Sequence, residues 1–153
     1  MVYFIILAGI IVLDRVVKFV VHTGMVPGQS IPVIENIFHI TYVRNTGAAF
    51  SMLEGQRMLL IGFPLVVMAV GMVLLIVKRK TWHPLLNTAI AMICAGGIGN
   101  LIDRTVRGYV VDMFDFRFFP VFNVADIFVC VGCGLIVLYV LFIDGKKSNK
   151  KRK

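Results

Sequence analysis

The sequence contains few charged residues and especially few acidic ones. Only 16% of its 153 residues are Asp, Glu, Lys or Arg, and 8 residues are acidic. Soluble globular domains average about 25% charged and about 45–50% apolar residues. Here 59% of the residues are hydrophobic and the mean hydropathy is +0.90. This composition argues against an ordinary soluble domain, and the length predicts a single domain over residues 1–153.

Cysteine and histidine are also scarce. The three cysteines, Cys94, Cys130 and Cys133, all lie in apolar stretches, which argues against a disulfide framework. The spacing of Cys130 and Cys133 fits half of a zinc site, but there is no second pair and the three histidines are scattered. We therefore expect no metal site and no cofactor, and we interpret the cysteines as apolar filling of helices.

Basic residues outnumber acidic ones by 16 to 8, which gives a net charge of +8. Nucleic-acid-binding proteins spread such charge over a folded face. In this chain, residues 78–80 and 144–153 together hold nine basic residues and one acidic residue, and the other seven basic and seven acidic residues cancel. We therefore expect no nucleic-acid partner and interpret the charge as a signal of membrane topology.

Several stretches are apolar and long enough to cross a membrane as helices, which takes about 17–25 residues. They lie at about residues 2–21, 58–77, 84–102 and 126–143, and the first contains Asp14, Arg15 and Lys18. A cleaved signal peptide is the alternative for the first stretch, but that stretch has no basic start and no small-residue cleavage site. We predict a mainly α-helical integral membrane protein with a bundle of four transmembrane helices.

Four spans place both termini and the basic loop at residues 78–80 on one side of the membrane. The positive-inside rule makes that side the cytoplasm, so we predict an N-in, C-in protein with outer loops at about residues 22–57 and 105–122. In the first outer loop, Ser30–Ile34 and Ile37–Val43 are rich in β-branched and aromatic residues and predict a small hairpin on the outer surface. The second outer loop is rich in aromatic residues, which suit the lipid headgroup region.

Polar residues from distant segments fall at one depth, just inside the outer interface, at about 1.5 Å per helical residue. They are Asp14 and Lys18 in the first span, Asn100, Asp103 and Arg104 in the third, Asn123 and Asp126 at the start of the fourth, and Asn45 and Asp112 in the outer loops. Ionisable residues within a membrane are costly and mark functional sites.

Some of these residues also have structural interpretations. Asp14 and Lys18, four residues apart, can neutralise each other on one helix face and support the site. Arg15 points elsewhere and is expected to snorkel towards the interface. Asp103 is expected to pair with the adjacent Arg104.

Structural roles also exist for the polar and small residues nearby. Asn123 has the spacing of a helix N-cap, and Asp126 suits the first turn of a helix. The small residues at 95–99 are expected to serve close helix packing, and Gly47 a turn.

An excess of acids around the second outer loop remains unexplained. They are Asp103, Asp112, Asp115 and Asp126, of which Asp115 is expected to face solvent. Two carboxylates in a confined site do not both ionise easily, so one keeps a proton while the other activates a water. Such a pair cleaves amide bonds, but the residues alone leave open which two of the four acids form it.

Other functions fit the residues of this sequence less well. A serine triad is not expected, because Ser30, Ser51 and Ser148 have no His and Asp partners at a shared depth. The main alternative is a small transporter or proton relay that uses the intramembrane Asp, Arg and Lys. A relay would distribute polar residues through the bilayer, whereas the second and third spans are apolar in their cytoplasmic halves. A structural membrane subunit would not need acids at one level.

Five motifs occur in a fixed order along most of the chain. They are Asp14-Arg-Val-Val-Lys18, Asn45-Thr-Gly-Ala-Ala-Phe50, Gly96-Gly-Ile-Gly-Asn100-Leu-Ile-Asp103-Arg104, Val110-Val-Asp112 and Phe122-Asn123-Val-Ala-Asp126. In order and spacing they resemble the motifs of the lipoprotein signal peptidase family, also called signal peptidase II. Each motif alone is weak, but five in order are highly specific.

This resemblance implies an aspartic endopeptidase of the bacterial cytoplasmic membrane, with four transmembrane helices and a small extracytoplasmic β-cradle. Members of the family remove the signal peptide of prolipoproteins just before a cysteine that carries diacylglycerol. By motif position, Asp112 and Asp126 would be catalytic. The residues that would bind substrate or support the site are Asp14, Lys18, Asn45, Gly47, Asn100, Asp103, Arg104 and Asn123. The resemblance also implies prolipoprotein substrates, contact with membrane lipids and a globomycin-type inhibitor, and we expect a monomer.

Overall fold

The structure is a computed structural model that describes residues 1–47 and 56–144. Part of the second motif, Ala48–Phe50, lies outside the described residues. So do Ser51, Ser148 and the basic tail at residues 146–153. Where a helix or strand is discussed below, its bounds refer to the described part of the chain.

Four long helices make up most of the structure. They are α1 (Val2–Gly24), α2 (Arg57–Lys78), α3 (Pro84–Val106) and α4 (Val124–Tyr139), which continues into a π-helical turn at Val140–Asp144. Among the described residues, three segments are long and apolar enough to cross a membrane: Met58–Lys78, Pro84–Val106 and Val124–Asp144. Helix α1 is of similar length, 23 residues, but carries three charged residues. The prediction of a mainly helical membrane protein is confirmed, and α1 and α3 extend a few residues further than predicted.

A small antiparallel sheet completes the fold. Its strands are β1 (Ser30–Ile34), β2 (Phe38–Asn45) and β3 (Val110–Asp115), in the order β1-β2-β3. The predicted hairpin is confirmed, with its turn at Asn36 in the left-handed region at φ 60°, although the second strand ends at Asn45. The third strand was not predicted. All but one of its residues are buried, so it lacks the alternation of apolar and polar residues that identifies a half-exposed strand.

The sheet rests on the C-terminal part of α1 through a compact apolar cluster. Val21 of α1, Tyr42 of β2, and Val111 and Met113 of β3 are buried against one another. Each fully buried large apolar side chain contributes about 1.5–3 kcal/mol. The cluster therefore fixes β3 on the helix bundle, and with it Asp112, which lies between Val111 and Met113.

Helices α3 and α4 touch through glycines. A Cβ atom on Gly96 would overlap the carbonyl oxygen of Ala125, and one on Gly132 would lie 2.8 Å from the carbonyl oxygen of Ala89. A Cβ atom on Gly99 would lie 2.7 Å from Asp14 Oδ2, so α1 approaches the same surface. The interpretation of these small residues as a close packing surface is confirmed.

We expect Gly96→Ala to lower stability by about 1–3 kcal/mol, the usual cost of overpacking. Thermal unfolding in detergent micelles measures this. Gly134→Ala in α4 is the matched control, since a Cβ atom there meets no heavy atom within 4 Å in the described part of the chain. The control should unfold at or above the wild-type temperature, because Ala favours helix over Gly. Equal unfolding temperatures for the two variants would contradict a tight contact between α3 and α4.

Candidate active site

Two carboxylates from different elements line one cavity of about 750 Å³. Asp112 comes from the middle of β3, and Asp126 comes from the first turn of α4. Polar side chains line the same cavity, among them Asn45, Asn100, Arg104 and Asn123. Asp112 is only 2% exposed, so the cavity brings a buried acid next to space that a substrate can fill.

Two amides orient the carboxylate of Asp112. Asn45 Nδ2 donates to Asp112 Oδ2 at 2.9 Å, and Asn123 Nδ2 donates to Asp112 Oδ1 at 2.6 Å. Strand pairing explains the first contact, since β2 runs antiparallel to β3 with Val43 opposite Asp112 and Asn45 opposite Val110. Both oxygens therefore have a donor, and the carboxylate has one fixed orientation.

The carboxylate of Asp126 is fixed by the start of α4. Asn123 caps this helix by accepting from the Asp126 backbone N–H at 3.0 Å, and Asp126 Oδ2 accepts from the Asn123 N–H at 3.1 Å. The predicted capping role is confirmed. The other oxygen, Oδ1, accepts from Asn100 Nδ2 of α3 at 2.7 Å.

A pair of asparagines connects the two carboxylates. Asn123 Nδ2 donates to Asn100 Oδ1 at 3.1 Å as well as to Asp112, and Asn100 in turn holds Asp126. Lys18 Nζ donates to the same Asn100 oxygen at 2.8 Å. The asparagines thus hold the two acids in one hydrogen-bonded unit that opens onto the cavity.

Burial raises the pKa of Asp112 to about 6. The hydrogen bonds from Asn45 and Asn123 oppose this rise because they favour the ionised form, and the nearby charge of Asp126 adds to it. Asp112 therefore retains a proton at a pH where an ordinary aspartic acid has lost it. Two neighbouring acids, one protonated and one ionised, are the requirement for an aspartic peptidase.

We expect the free energy of unfolding to fall as the pH rises from about 4 to about 7, compared with that of an Asp112→Asn variant. The pKa is raised from 3.8 to about 6 in the folded protein, so over this range the folded state keeps a proton that the unfolded state has released. The contribution of this proton is complete below the unfolded pKa and is lost as the pH rises through the folded pKa. The expected loss is about 3 kcal/mol, at about 1.4 kcal/mol per pKa unit. Thermal unfolding of both proteins across the range measures it, and a constant difference would contradict the shift.

A buried cluster of charges lies directly behind the asparagines. Asp14, Lys18 and Asp103 are fully buried, and Lys18 Nζ is 3.1 Å from Asp14 Oδ2 and 3.0 Å from Asp103 Oδ2. The predicted pairing of Asp14 with Lys18 is confirmed. The prediction that Arg15 snorkels away was wrong, because its guanidinium turns inward, with Nη1 2.7 Å from Asp103 Oδ1 and Nη2 2.7 Å from Asp14 Oδ2.

The predicted pair of Asp103 with Arg104 was also wrong. Asp103 instead binds Lys18, Arg15 and the Nη1 of Arg107, the last at 2.5 Å. Consecutive residues of a helix point about 100° apart, so Arg104 faces the cavity, where its Nη2 donates to the carbonyl oxygen of Gly47 at 3.0 Å. Within residues 1–47 and 56–144, its buried Nε has no hydrogen-bond partner.

Gly47 connects the loop after β2 to the site. Its N–H donates to Asn45 Oδ1 at 3.0 Å, as expected of a turn residue, while its carbonyl oxygen holds Arg104. All ten predicted site residues therefore belong to one connected set of hydrogen bonds and ion pairs. The two links that sequence reasoning missed, Arg15 and Arg107, are cations whose direction depends on how α1 packs against α3.

Asp115 was predicted to face solvent, and this was wrong. It is buried, and it accepts from Thr41 Oγ1 at 2.7 Å and from Arg117 Nη1 at 2.9 Å. Partial burial raises the pKa of Asp115, but these hydrogen bonds outweigh it and hold the pKa below its usual value. Asp115 lies at the end of β3, away from the lining of the cavity.

Ser30 also has a histidine neighbour, contrary to the prediction. Its Oγ lies 2.9 Å from His39 Nδ1 and 2.8 Å from Thr41 Oγ1, across the β1–β2 pair. The acid of this group, Asp115, binds Thr41. A serine triad requires the acid to bind the histidine, so this group is a chain of hydrogen bonds that ties the three strands together.

Comparison with known proteins identifies relatives of this chain. A family model described as "Signal peptidase (SPase) II" matches residues 6–142. A protein named "Lipoprotein signal peptidase" from Brevibacillus brevis is 41% identical over 149 residues, which are 96% of this chain and 99% of the relative. One of the same name from Halothermothrix orenii is 44% identical over 140 residues, which are 92% of this chain and 94% of the relative.

A solved structure has the same fold. It is described as "Bacterial membrane enzyme structure by the in meso method at 2.3 A resolution" and superposes with a TM-score of 0.88 at 31% identity. The match covers 99% of this chain and 93% of the solved one. Since the family model spans most of the chain and the relatives match over nearly its whole length, the chain belongs to the signal peptidase II family.

Proposed function

We propose that this chain is an aspartic endopeptidase that removes the signal peptide from diacylglyceryl-modified prolipoproteins and cleaves just before the lipidated cysteine. The observation that carries the proposal is the pair of buried carboxylates, Asp112 and Asp126, held by shared asparagines in the wall of one cavity. Membership of the family and the names of the relatives support the substrate class.

The mechanism follows from two acids that share one proton. A water held between Asp112 and Asp126 loses a proton to the ionised carboxylate as its oxygen attacks the scissile carbonyl carbon. The protonated partner donates a hydrogen bond to the carbonyl oxygen. As the C–N bond breaks, the carboxyl that took the proton from water passes it to the leaving amine nitrogen, which restores one ionised and one protonated acid. Interacting acids titrate as a pair, so the roles of acid and base belong to the dyad as a whole.

The three asparagines act mainly by orienting the dyad, because their Nδ2 groups already donate to carboxylates. The group free to bind the substrate backbone is Arg104, whose Nε lies buried beside the cavity without a partner in the described part of the chain. A guanidinium N–H there is suited to a peptide carbonyl oxygen next to the scissile bond.

The other wall of the cavity is suited to lipid. One face of α4 lines it with Ile127, Cys130 and Val131, and Phe119 also lines the cavity. This helix belongs to a segment able to span a membrane. The diacylglyceryl chains of the substrate would lie along this face and extend into the bilayer, which accounts for placing an amide-cleaving site at the end of membrane helices.

The proposed setting is the bacterial cytoplasmic membrane, with N-in, C-in topology and the site towards the extracytoplasmic face. The loop at residues 78–80 carries Lys-Arg-Lys between α2 and α3, whereas Asn100 and Arg104 lie near the opposite end of α3. Under the positive-inside rule, this arrangement supports a dyad on the extracytoplasmic side. In this proposal the protein acts as a monomeric single domain over residues 1–153, and a globomycin-type inhibitor competes for the cavity.

A transporter or proton relay is not favoured. The chain matches a peptidase family over residues 6–142. Its buried acids and cations also converge on one cavity and one cluster behind it, whereas a relay would line a path through the bilayer.

A micelle assay with two matched substrates tests the proposal. Purified protein is mixed with a prolipoprotein peptide whose cysteine carries diacylglycerol, or with the same peptide unmodified. The masses of the products are measured by mass spectrometry. We expect a lipidated product that begins with the modified cysteine, no cleavage of the unmodified peptide, and inhibition by globomycin. Equal cleavage of both peptides would contradict the proposed specificity, and no cleavage of either would contradict the function.

A further inference from the structure

We propose that Arg15 is a positioning residue for the dyad, an inference that rests on the proposed function. Its side chain touches neither Asp112 nor Asp126. It acts through two other aspartates, Asp14 and Asp103, and holds them at a fixed separation across the contact between α1 and α3.

Each of these two aspartates anchors the main chain directly before a dyad residue. Asp103 Oδ2 accepts from the backbone N–H of Val111 at 3.3 Å, and Val111 precedes Asp112. Asp14 Oδ1 accepts from the backbone N–H of Ala125 at 3.1 Å, and Ala125 precedes Asp126. Both dyad residues are thus held, one peptide unit away, by a buried carboxylate from another helix.

Arg15 joins the two anchors. Its Nη1 lies 2.7 Å from Asp103 Oδ1, its Nη2 lies 2.7 Å from Asp14 Oδ2, and Nη2 also donates to the carbonyl oxygen of Gly99 at 3.0 Å. A guanidinium is planar and rigid, so its two terminal nitrogens fix the distance and angle between the carboxylates that they bind. Because Asp14 lies on α1 and Gly99 and Asp103 lie on α3, this one planar group restricts the relative position of the two helices.

The lysine in the same cluster does not duplicate this role. Lys18 Nζ also lies near Asp14 and Asp103, but it donates to Asn100 as well. An ammonium is a compact charge on a flexible stem, so it neutralises its neighbours without setting an angle between them. Arg107 binds Asp103, but within the described part of the chain no hydrogen bond or ion pair joins it to Asp14, so it holds only one anchor.

Loss of Arg15 is expected to affect turnover. Adjacent Cα atoms are 3.8 Å apart, so a shift of either anchor moves the next residue, and misplacing a reacting group by about 1 Å can cost about a hundredfold in rate. Arg15 does not line the cavity. Loss of Arg15 should therefore lower kcat while substrate binding is preserved, whereas a role in stability alone would change the amount of folded enzyme and leave its kcat intact.

Steady-state kinetics on the diacylglyceryl peptide, normalised to folded protein, tests this inference. We expect Arg15→Gln to lower kcat about 10–100-fold, with KM within about twofold of wild type. Arg15→Lys keeps the charge without the planar fork and should fall in between. Arg117→Gln is the matched control, because it also removes an arginine from an aspartate, 2.9 Å from Asp115 in the sheet, and it should keep the wild-type kcat.

The outcomes separate this inference from the proposed function. If the wild-type protein fails to cleave the peptide, the proposed function is wrong. If the wild-type protein cleaves it and Arg15→Gln turns over equally fast, or raises only KM, the positioning role alone is wrong. Should Arg15→Gln fail to fold, Arg15→Lys decides the question, and a wild-type kcat for Arg15→Lys would overturn the role of the planar fork.

Discussion

Asp112→Asn and Asp126→Asn should each lower kcat for the diacylglyceryl prolipoprotein peptide by at least about a thousandfold, the scale seen when a member of a catalytic unit is removed. An amide can neither accept a proton from the attacking water nor share one with its partner. The remaining acid is then left alone with a water that nothing activates. Single-turnover assays in micelles, with the quantity of folded protein measured in parallel, give the size of the loss.

Asp115→Asn is the matched control for both variants. It makes the same chemical change in the same strand as Asp112, but its carboxylate binds Thr41 and Arg117 rather than the asparagines of the cavity. We expect turnover within about threefold of wild type. Near-normal turnover by Asp112→Asn or Asp126→Asn would exclude the dyad, and a loss as large for Asp115→Asn would show that the wrong pair had been chosen.

Lys18→Met should have the largest effect on stability. The ammonium lies between two fully buried carboxylates, 3.1 Å from Asp14 and 3.0 Å from Asp103. Methionine fills similar space without charge, so the two carboxylates lose their shared cation inside the bundle. Breaking a buried ion pair from one side costs about 3–5 kcal/mol. Because Arg15 still binds both acids, we expect about 3 kcal/mol, the lower end of that range.

Thermal unfolding of the purified protein in one detergent measures the effect of Lys18→Met. Lys80→Met is the control, since Lys80 is exposed after the end of α2, and it should unfold at the wild-type temperature. Equal unfolding temperatures for Lys18→Met and Lys80→Met would contradict a stabilising role for the buried ammonium of Lys18. Activity per folded molecule should also fall, because Lys18 holds Asn100 in the site.

The features predicted from sequence are those set by local patterns. Apolar runs of membrane-spanning length identify α2, α3 and α4, and two stretches rich in β-branched and aromatic residues on either side of a turn-like Glu35-Asn36 identify the hairpin. The spacing of Asn123 and Asp126 predicts the capping box that the structure contains. Each of these signals lies within a few residues or one turn of helix, so no knowledge of the tertiary structure is needed to detect it.

The features that were missed depend on tertiary contacts. Strand β3 is buried along most of its length, so nothing in its residue pattern distinguishes it from the loop that was predicted. Arg15 turns inward because its guanidinium binds two buried carboxylates, Asp14 on its own helix and Asp103 on α3. Arg104 and Asp103 are adjacent in sequence but have different partners. Arg104 donates to Gly47 and Asp103 binds Lys18 of α1, and these partners are known only once the segments are packed together. Asp115 is paired by residues that the strand register brings to it.

The central claim is that Asp112 and Asp126 act as one unit on one water. The residual single-turnover rates of Asp112→Asn, Asp126→Asn and the double variant test it most directly. Groups that work as a unit are strongly non-additive, so the double variant should be no slower than the slower single variant. A rate for the double variant that falls by the product of the two single losses would show two independent contributions and would contradict the dyad.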